Sequence, residues 1–164
     1  MPLSSSIVTR LEYQHKSLLE LIDNLSDEDI RRQVIIGKWS IFENIVHLQT
    51  YQHAFLQRVK QIQTEDKPAF SRYTAESDPL FHDNCLRITR DIIQDMITTR
   101  RIKAAYVLAL KDEALKRTGS HPVFGSMDVA HWMNFFLLHE AHHLFTIFKL
   151  TAEVKRVSGQ ITKP

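Results

Sequence analysis

Cysteine, glycine and proline are all scarce in this chain of 164 residues. Cys85 is the single cysteine, so an internal disulfide is excluded. A lone cysteine is typical of a protein in a reducing compartment, and we therefore expect a cytoplasmic location. Only four glycines and five prolines are present, and long stretches lack both. This scarcity favours a small number of long secondary-structure elements.

Long hydrophobic runs and an excess of one charge are also missing. No window approaches the roughly 18 apolar residues of a membrane span, and residues 1–6 lack the features of a secretion signal. The 21 lysines and arginines are interspersed with 19 acidic residues, which argues against nucleic-acid binding. We interpret the short cluster Arg100, Arg101 and Lys103 as a solvated helix face. We expect one soluble domain over residues 1–164, without nucleic-acid or membrane partners.

Four segments have the apolar periodicity of amphipathic helices, at approximately residues 4–24, 40–62, 89–110 and 126–154. The start of the second helix is the clearest, because Glu43 follows Ser40 by three residues in a capping-box arrangement. Thr89 is the candidate N-cap of the third helix. About 25 residues containing Pro68 and Pro79 join helices two and three, which is long enough to cross a bundle. The sequence therefore predicts an all-α four-helix bundle in which those two helices can run parallel.

Two histidines of the fourth helix, His139 and His143, have the i, i+4 spacing that places side chains on one helix face. That face is otherwise apolar, which indicates that both rings point into the core. The apolar residues that share it are Val129, Trp132, Phe135, Phe136, Ile147 and Leu150. Such rings can ligate a metal, or they can be satisfied by hydrogen bonds or lie near a bundle end, and the spacing alone does not decide between these interpretations.

A metal site needs a third ligand, and His47 on the second helix is the candidate. It lies at the edge of an apolar stripe formed by Ile41, Ile45, Leu48, Leu56 and Val59. The alternative interpretation of His47 is a boundary histidine without a ligand role. The histidines His15, His53, His121 and His131 are interpreted as surface or boundary residues.

Several motifs together resemble the DinB/YfiT-like superfamily over nearly the whole chain. They are Gly37-Lys38-Trp39-Ser40, Glu43 with His47-Leu48, His121-Pro122-Val123-Phe124-Gly125, and His139-Glu140-Ala141-His142-His143. The resemblance implies an up-down-down-up bundle and one divalent metal ion, nickel or zinc being common in the family. It also implies that His47, His139 and His143 are the ligands, with His142 as the alternative to His143.

Three neutral imidazoles leave a divalent ion with its full charge and at least one open position, as in catalytic sites. The resemblance favours an enzyme whose metal activates a low-molecular-weight thiol for transfer to an electrophile, acting on a small-molecule substrate. The alternatives are metal-dependent hydrolysis by bound hydroxide and a stress-associated metal-binding module without turnover. A site sealed by Trp132 or Phe135 would favour that last alternative. His82 and Asp83, ahead of helix three, are either a proton acceptor or solvated loop residues.

A second apolar stripe on the fourth helix faces away from His139 and His143. It comprises Ala130, Leu137, Ala141, Leu144 and Phe148. A helix that is apolar on both faces must be buried on both faces. We therefore expect a homodimer in which the fourth helices pack together, the alternative being that loops such as residues 64–79 cover the stripe within one chain.

Overall fold

The computed structural model describes residues 3–159, and most of them are helical. The helices are α1 (Ser5–Tyr13), α2 (Ser17–Ile22), α3 (Asp27–Arg31), α4 (Ile41–Thr64), α5 (Pro79–Cys85), α6 (Thr89–Leu108), α7 (Asp112–Leu115) and α8 (Val129–Val157). Two short strands, β1 (Thr118–His121) and β2 (Gly125–Asp128), precede α8. Four long elements, the pair α1/α2 together with α4, α6 and α8, build a four-helix bundle.

Side-chain pairs between helices give the direction of each element. The contacts of Gln52 with Met96 and of His53 with Thr99 show that α4 and α6 run parallel. The contacts of α8 with α4 run in the opposite order, because Asn44 contacts His143 and His47 contacts His139. Gln14 donates to the Leu137 carbonyl and Thr151 donates to the Leu21 carbonyl, so α8 is parallel to α1/α2. The bundle is therefore up-down-down-up, as expected, and the long connection between α4 and α6 is the crossover.

The first predicted helix is interrupted, because a 3-10 turn at Gln14–Lys16 separates α1 from α2. The predicted third helix also begins differently. Thr89 is the first residue of α6 and Ile88 precedes it without a side-chain cap, so the assignment of Thr89 as N-cap was wrong.

The segment before α8 forms an antiparallel hairpin in which Thr118 pairs with Asp128 and His121 with Gly125.

Side-chain caps begin the two longest helices, and the one predicted from the sequence, at Ser40, is confirmed. The Ser40 hydroxyl accepts a hydrogen bond from the Glu43 amide while the Glu43 carboxylate accepts one from the Ser40 amide, so the capping box is complete at the start of α4. Asp128 caps α8 by accepting from the His131 amide. These caps fix the first turns of the two helices that carry the candidate ligands.

Part of the cluster interpreted as a solvated face is buried. Arg100 and Lys103 are 1% and 0% exposed, so that interpretation was wrong for both residues, while Arg101 is exposed. The Arg100 guanidinium pairs with the Glu140 carboxylate and also donates to Gln52 Oε1. Glu140 on α8 is the partner that compensates the lost hydration of the Arg100 guanidinium.

The second stripe of α8 is largely covered within the chain. Leu137 packs with Ile7 and Leu11 of α1, and Leu144 belongs to the cluster that contains Leu18 of α2. The N-terminal helices α1 and α2, which both contact α8, contribute this cover. Phe148 is still 56% exposed. Within the part of the chain that the structure describes, no helix combines the length and apolar character needed to cross a bilayer.

Candidate metal centre

His47, His139 and His143 come together where α4 and α8 pack against each other. His47 lies less than two turns after the start of α4, and the two other histidines lie one turn apart in the middle of α8. Because the two helices are antiparallel, one position on α4 faces a pair of positions on α8. The sequence-predicted ligands therefore occupy one site.

The three rings converge through their nitrogens. One nitrogen from each ring can be chosen so that all three lie within 4.8 Å of one another. The Nε2 atoms of His47 and His139 are 3.1 Å apart. Nitrogens about 2.0–2.1 Å from a tetrahedral ion lie roughly 3.3 Å from each other, so this spacing fits a common ion. A single proton can bridge two of these nitrogens, whereas one cation can satisfy all three.

Burial sets the protonation state of the cluster. It is the main reason that the pKa of His47 falls to about 4, that of His139 to about 3 and that of His143 to about 2. For His139 and His143 the neighbouring imidazoles lower the pKa further. The three rings are therefore neutral at pH 7, which is the form of histidine that binds a metal.

Asn44 orients one of the rings. Its Oδ1 lies 2.9 Å from His143 Nδ1, and its Nδ2 donates to the Ser40 carbonyl. Because the amide nitrogen is engaged by the backbone, Oδ1 is left to accept, and His143 donates from Nδ1 and keeps the Nε2 lone pair free. The buried Nδ1 atoms of His47 and His139 have no hydrogen-bond partner among the described residues.

Aromatic side chains enclose the histidines. The Trp39 ring lies 5.1 Å from that of His47, and the Tyr51 ring lies 4.3 Å from that of His139. Tyr73 and Phe81, both on the crossover, pack against His47 and Trp39 respectively. This apolar shell lowers the local dielectric, which strengthens the interaction of any bound cation with its ligands.

A cavity of about 800 Å³ opens beside His143. Its wall includes His143 of the cluster, Asn44, which supports His143, and the exposed residue His142. The ring centroids of His142 and His143 are 5.3 Å apart. The structure thus brings His143 into the cluster and places His142 beside it, on the cavity wall.

The other sequence candidates lie outside the cluster. His82 and Asp83 belong to the short helix α5, where a His82 ring nitrogen is 2.9 Å from the Glu76 carbonyl oxygen. Trp132 is held at the other end of α8 by its hydrogen bond to the Gly119 carbonyl, so neither it nor its neighbour Phe135 seals the site. His15 is buried, in contrast to its interpretation as a surface or boundary residue.

Sequence reasoning missed Asn44, Tyr51 and Tyr73. Asn44 had a usable signal, since it is a polar residue three positions before His47 within a stretch of α4 that is buried throughout. Tyr51 lies four positions after His47, on the same helix face. Tyr73 had no comparable signal, because it lies on the crossover and only the fold brings it to the site.

Comparisons with known proteins agree with this architecture. The sequence model of the DinB superfamily matches residues 10–147. Protein YuaE of Bacillus subtilis is 28% identical over 153 residues, covering 82% of this chain and 91% of that protein. The "putative metal-dependent hydrolase OB0413" of Oceanobacillus iheyensis is 26% identical over 136 residues, covering 82% of this chain and 78% of that protein.

Two solved structures from Bacillus subtilis share the fold. YfiT, described as a probable metal-dependent hydrolase with an unusual four-helix bundle topology, aligns with a TM-score of 0.75 at 20% identity, covering 94% of this chain and 86% of YfiT. The DinB-like protein YjoA aligns with a TM-score of 0.60 at 18% identity, covering 98% of this chain and 96% of YjoA.

Proposed function

The chain belongs to the DinB superfamily, and from this premise we propose that it is a hydrolase dependent on one divalent metal ion held by His47, His139 and His143. The observation that carries the proposal is the convergence of three neutral imidazoles on one point beside an open cavity. The descriptions of OB0413 and YfiT as metal-dependent hydrolases support the same reaction class. Imidazole ligands suit zinc and nickel, and we propose one of these two as the ion.

The ion, when bound, supplies a Lewis acid and lowers the pKa of water toward 7. The protein's own residues supply the rest. The three ligands add no negative charge, so the site keeps its electrophilic character. Asn44 holds His143 in the tautomer that leaves Nε2 free. His142, on the cavity wall next to a ligand, is positioned to take a proton from the attacking water and deliver it to the leaving group.

Elemental analysis of the purified protein tests the ligand assignment. We expect about one zinc or nickel ion per chain, and we expect His47→Ala, His139→Ala and His143→Ala each to abolish tight binding. His142→Ala is the matched control, because it removes an adjacent imidazole from the same helix and should retain the metal. Full occupancy in His143→Ala, or loss in His142→Ala, would contradict the assignment.

A chromogenic ester such as p-nitrophenyl acetate tests the reaction. Chelation should abolish hydrolysis and added zinc or nickel should restore it. His142→Ala should lower kcat by about 100-fold while retaining the metal, as is usual when a general acid–base group is removed. Hydrolysis by the wild-type protein that survives complete metal removal would refute the proposal.

Thiol transfer is a second candidate function, favoured by the size of the cavity. About 800 Å³ is near the upper end of the range for small-molecule sites, which leaves room for a thiol cosubstrate beside an electrophile. A thiol-conjugation assay with a low-molecular-weight thiol and a generic electrophile separates the two functions. Conjugation without ester hydrolysis would favour transfer, and metal binding with neither activity would favour a module without turnover.

A further inference from the structure

The charged side chains around the cavity are mostly positive. Lys38, Lys149 and Arg156 line it together with a single acidic residue, Glu153, so the ionised lining residues sum to three positive charges minus one, or +2. The whole chain carries that same net charge spread over 21 basic and 19 acidic residues. The excess positive charge at this one cavity therefore equals the excess over the entire protein.

The basic residues have a regular arrangement. His142, Lys149 and Arg156 are spaced by seven residues on α8, which places them along one helix face. Lys38 approaches from the loop before α4. Arg156 bonds Glu153, which holds its guanidinium on the cavity wall. Lys149 and Lys38 have exposed side chains. The Lys149 ammonium lies 4.8 Å from the centroid of the Phe145 ring, and the long flexible stem of each lysine lets its ammonium group turn toward the cavity.

Much of the remaining wall is apolar, although Asn44, His143 and Thr146 also line it. Trp39 and Phe148 provide aromatic surface, and Ile35, Leu150 and Ala152 provide aliphatic surface. A fully anionic ligand such as inorganic phosphate would leave this surface uncovered. A ligand with an apolar body and one anionic group would match both parts of the wall.

We propose that this cavity binds a small molecule that has an apolar body and a carboxylate, with the body against Trp39 and Phe148 and the carboxylate at Lys149, Lys38 and Arg156. Lys149 follows His143 by six residues, so the two positions are about 9 Å apart along α8. A carboxylate held by Lys149 would therefore lie on the order of 9 Å from a group that reacts at the histidines. The identification of this ligand as the substrate rests on the proposed function, whereas its binding does not require the metal.

Isothermal titration calorimetry with 6-phenylhexanoate and its uncharged analogue 6-phenylhexanamide tests the proposal. The protein is used both as purified and after metal removal, because a carboxylate could otherwise bind through the ion itself. In both forms we expect the carboxylate to bind about tenfold more tightly than the amide, and high salt to reduce this preference. Lys149→Gln and Arg156→Gln should each weaken carboxylate binding about threefold to fivefold and leave amide binding unchanged.

Lys155→Gln is the matched control, since it removes the same charge from the same helix outside the cavity lining. Equal affinity for the carboxylate and the amide, or an equal loss in Lys155→Gln, would overturn the proposal. Preference for the carboxylate only in the metal-loaded protein would overturn it as well. If metal-free protein binds the carboxylate but the metal-loaded protein hydrolyses nothing, the cavity assignment stands and the hydrolase proposal fails.

Discussion

A single hydrogen bond to a side chain orients one ring of the histidine cluster. Of the three rings, His143 has a side-chain partner for its Nδ1 atom, and that partner is Asn44. The Nδ1 atoms of His47 and His139 are buried without a partner in the described part of the chain, so packing against Trp39, Tyr51 and Tyr73 holds those two rings. Ring orientation at this site thus depends on one polar contact and on several aromatic ones.

Asn44→Ala should weaken metal binding about tenfold to 100-fold, because residues that orient a metal ligand typically contribute that much to affinity. Competition with a chelator of known affinity measures the change. Asn84→Ala is the control, since Asn84 is an equally buried asparagine whose amide bonds Gln49 Oε1 instead of a ligand. Thermal melts of both variants show whether the fold is kept. Equal metal affinity in the two variants would contradict a positioning role for Asn44.

At the scale of elements, the start of α4 connects local sequence to the site. The Ser40–Glu43 capping box fixes the first turn of the helix, and His47 lies less than two turns further along. Ser40 also supplies the carbonyl that engages Asn44 Nδ2. The hydroxyl therefore stabilises the helix, while the backbone carbonyl of the same residue engages Asn44, which supports the candidate ligand His143.

Ser40→Ala should reduce the free energy of unfolding by about 1 kcal/mol through the lost cap and should leave metal stoichiometry unchanged. Denaturant melts and elemental analysis measure the two effects. Ser26→Ala removes the corresponding cap of α3, which carries no candidate ligand, and provides the comparison. An unchanged midpoint in Ser40→Ala combined with a large loss of activity would mean that the hydroxyl belongs to the site itself.

The long helices and the His139/His143 pair were predictable because their signals are local, whereas the inclusion of His47 in the set came from the family resemblance. Ser40 with Glu43 is a capping box within four residues, and His139 with His143 is one helical turn. The burial of Arg100 was not predictable from periodicity, since its partner Glu140 lies 40 residues away on another helix. The hairpin at β1 and β2 was not predicted, because glycines such as Gly119 and Gly125 are typical of turns and weaken a strand. Gly119 lies on a strand in close contact with Ile62 and Phe70.

At the scale of the whole molecule, one surface of α8 is unusually apolar. Leu138, Phe145 and Phe148 are 64%, 59% and 56% exposed. The hairpin extends this surface, because the Phe124 ring lies 5.5 Å from that of Phe135 on α8 and is itself 59% exposed. The stripe that first suggested a dimer is largely buried within the chain, whereas this adjacent stripe on the same helix is exposed.

We propose that two copies of the chain pair through this exposed face of α8. Three phenylalanines that each expose more than half of their surface contribute roughly 300 Å² of apolar area, and Leu138 adds to it, which gives a patch of the size that often marks an interaction site. In an antiparallel twofold arrangement, Leu138 of one copy would face Phe145 of the other, with the small Ala141 between them at the axis. Light scattering at high micromolar concentration should give twice the chain mass of 19.2 kDa.

A Leu138→Asp, Phe145→Asp double variant should be monomeric and should still unfold in one cooperative transition, because both side chains are exposed and neither lines the cavity. Leu86→Asp is the control, since Leu86 is 88% exposed but lies in the turn between α5 and α6, and this variant should remain dimeric. Aspartate at the neighbouring positions Leu137 and Leu144 would instead unfold the chain, because both are buried against α1 and α2. A wild-type protein that is monomeric at high micromolar concentration would refute the dimer, and the metal centre, which one chain builds alone, would be unaffected.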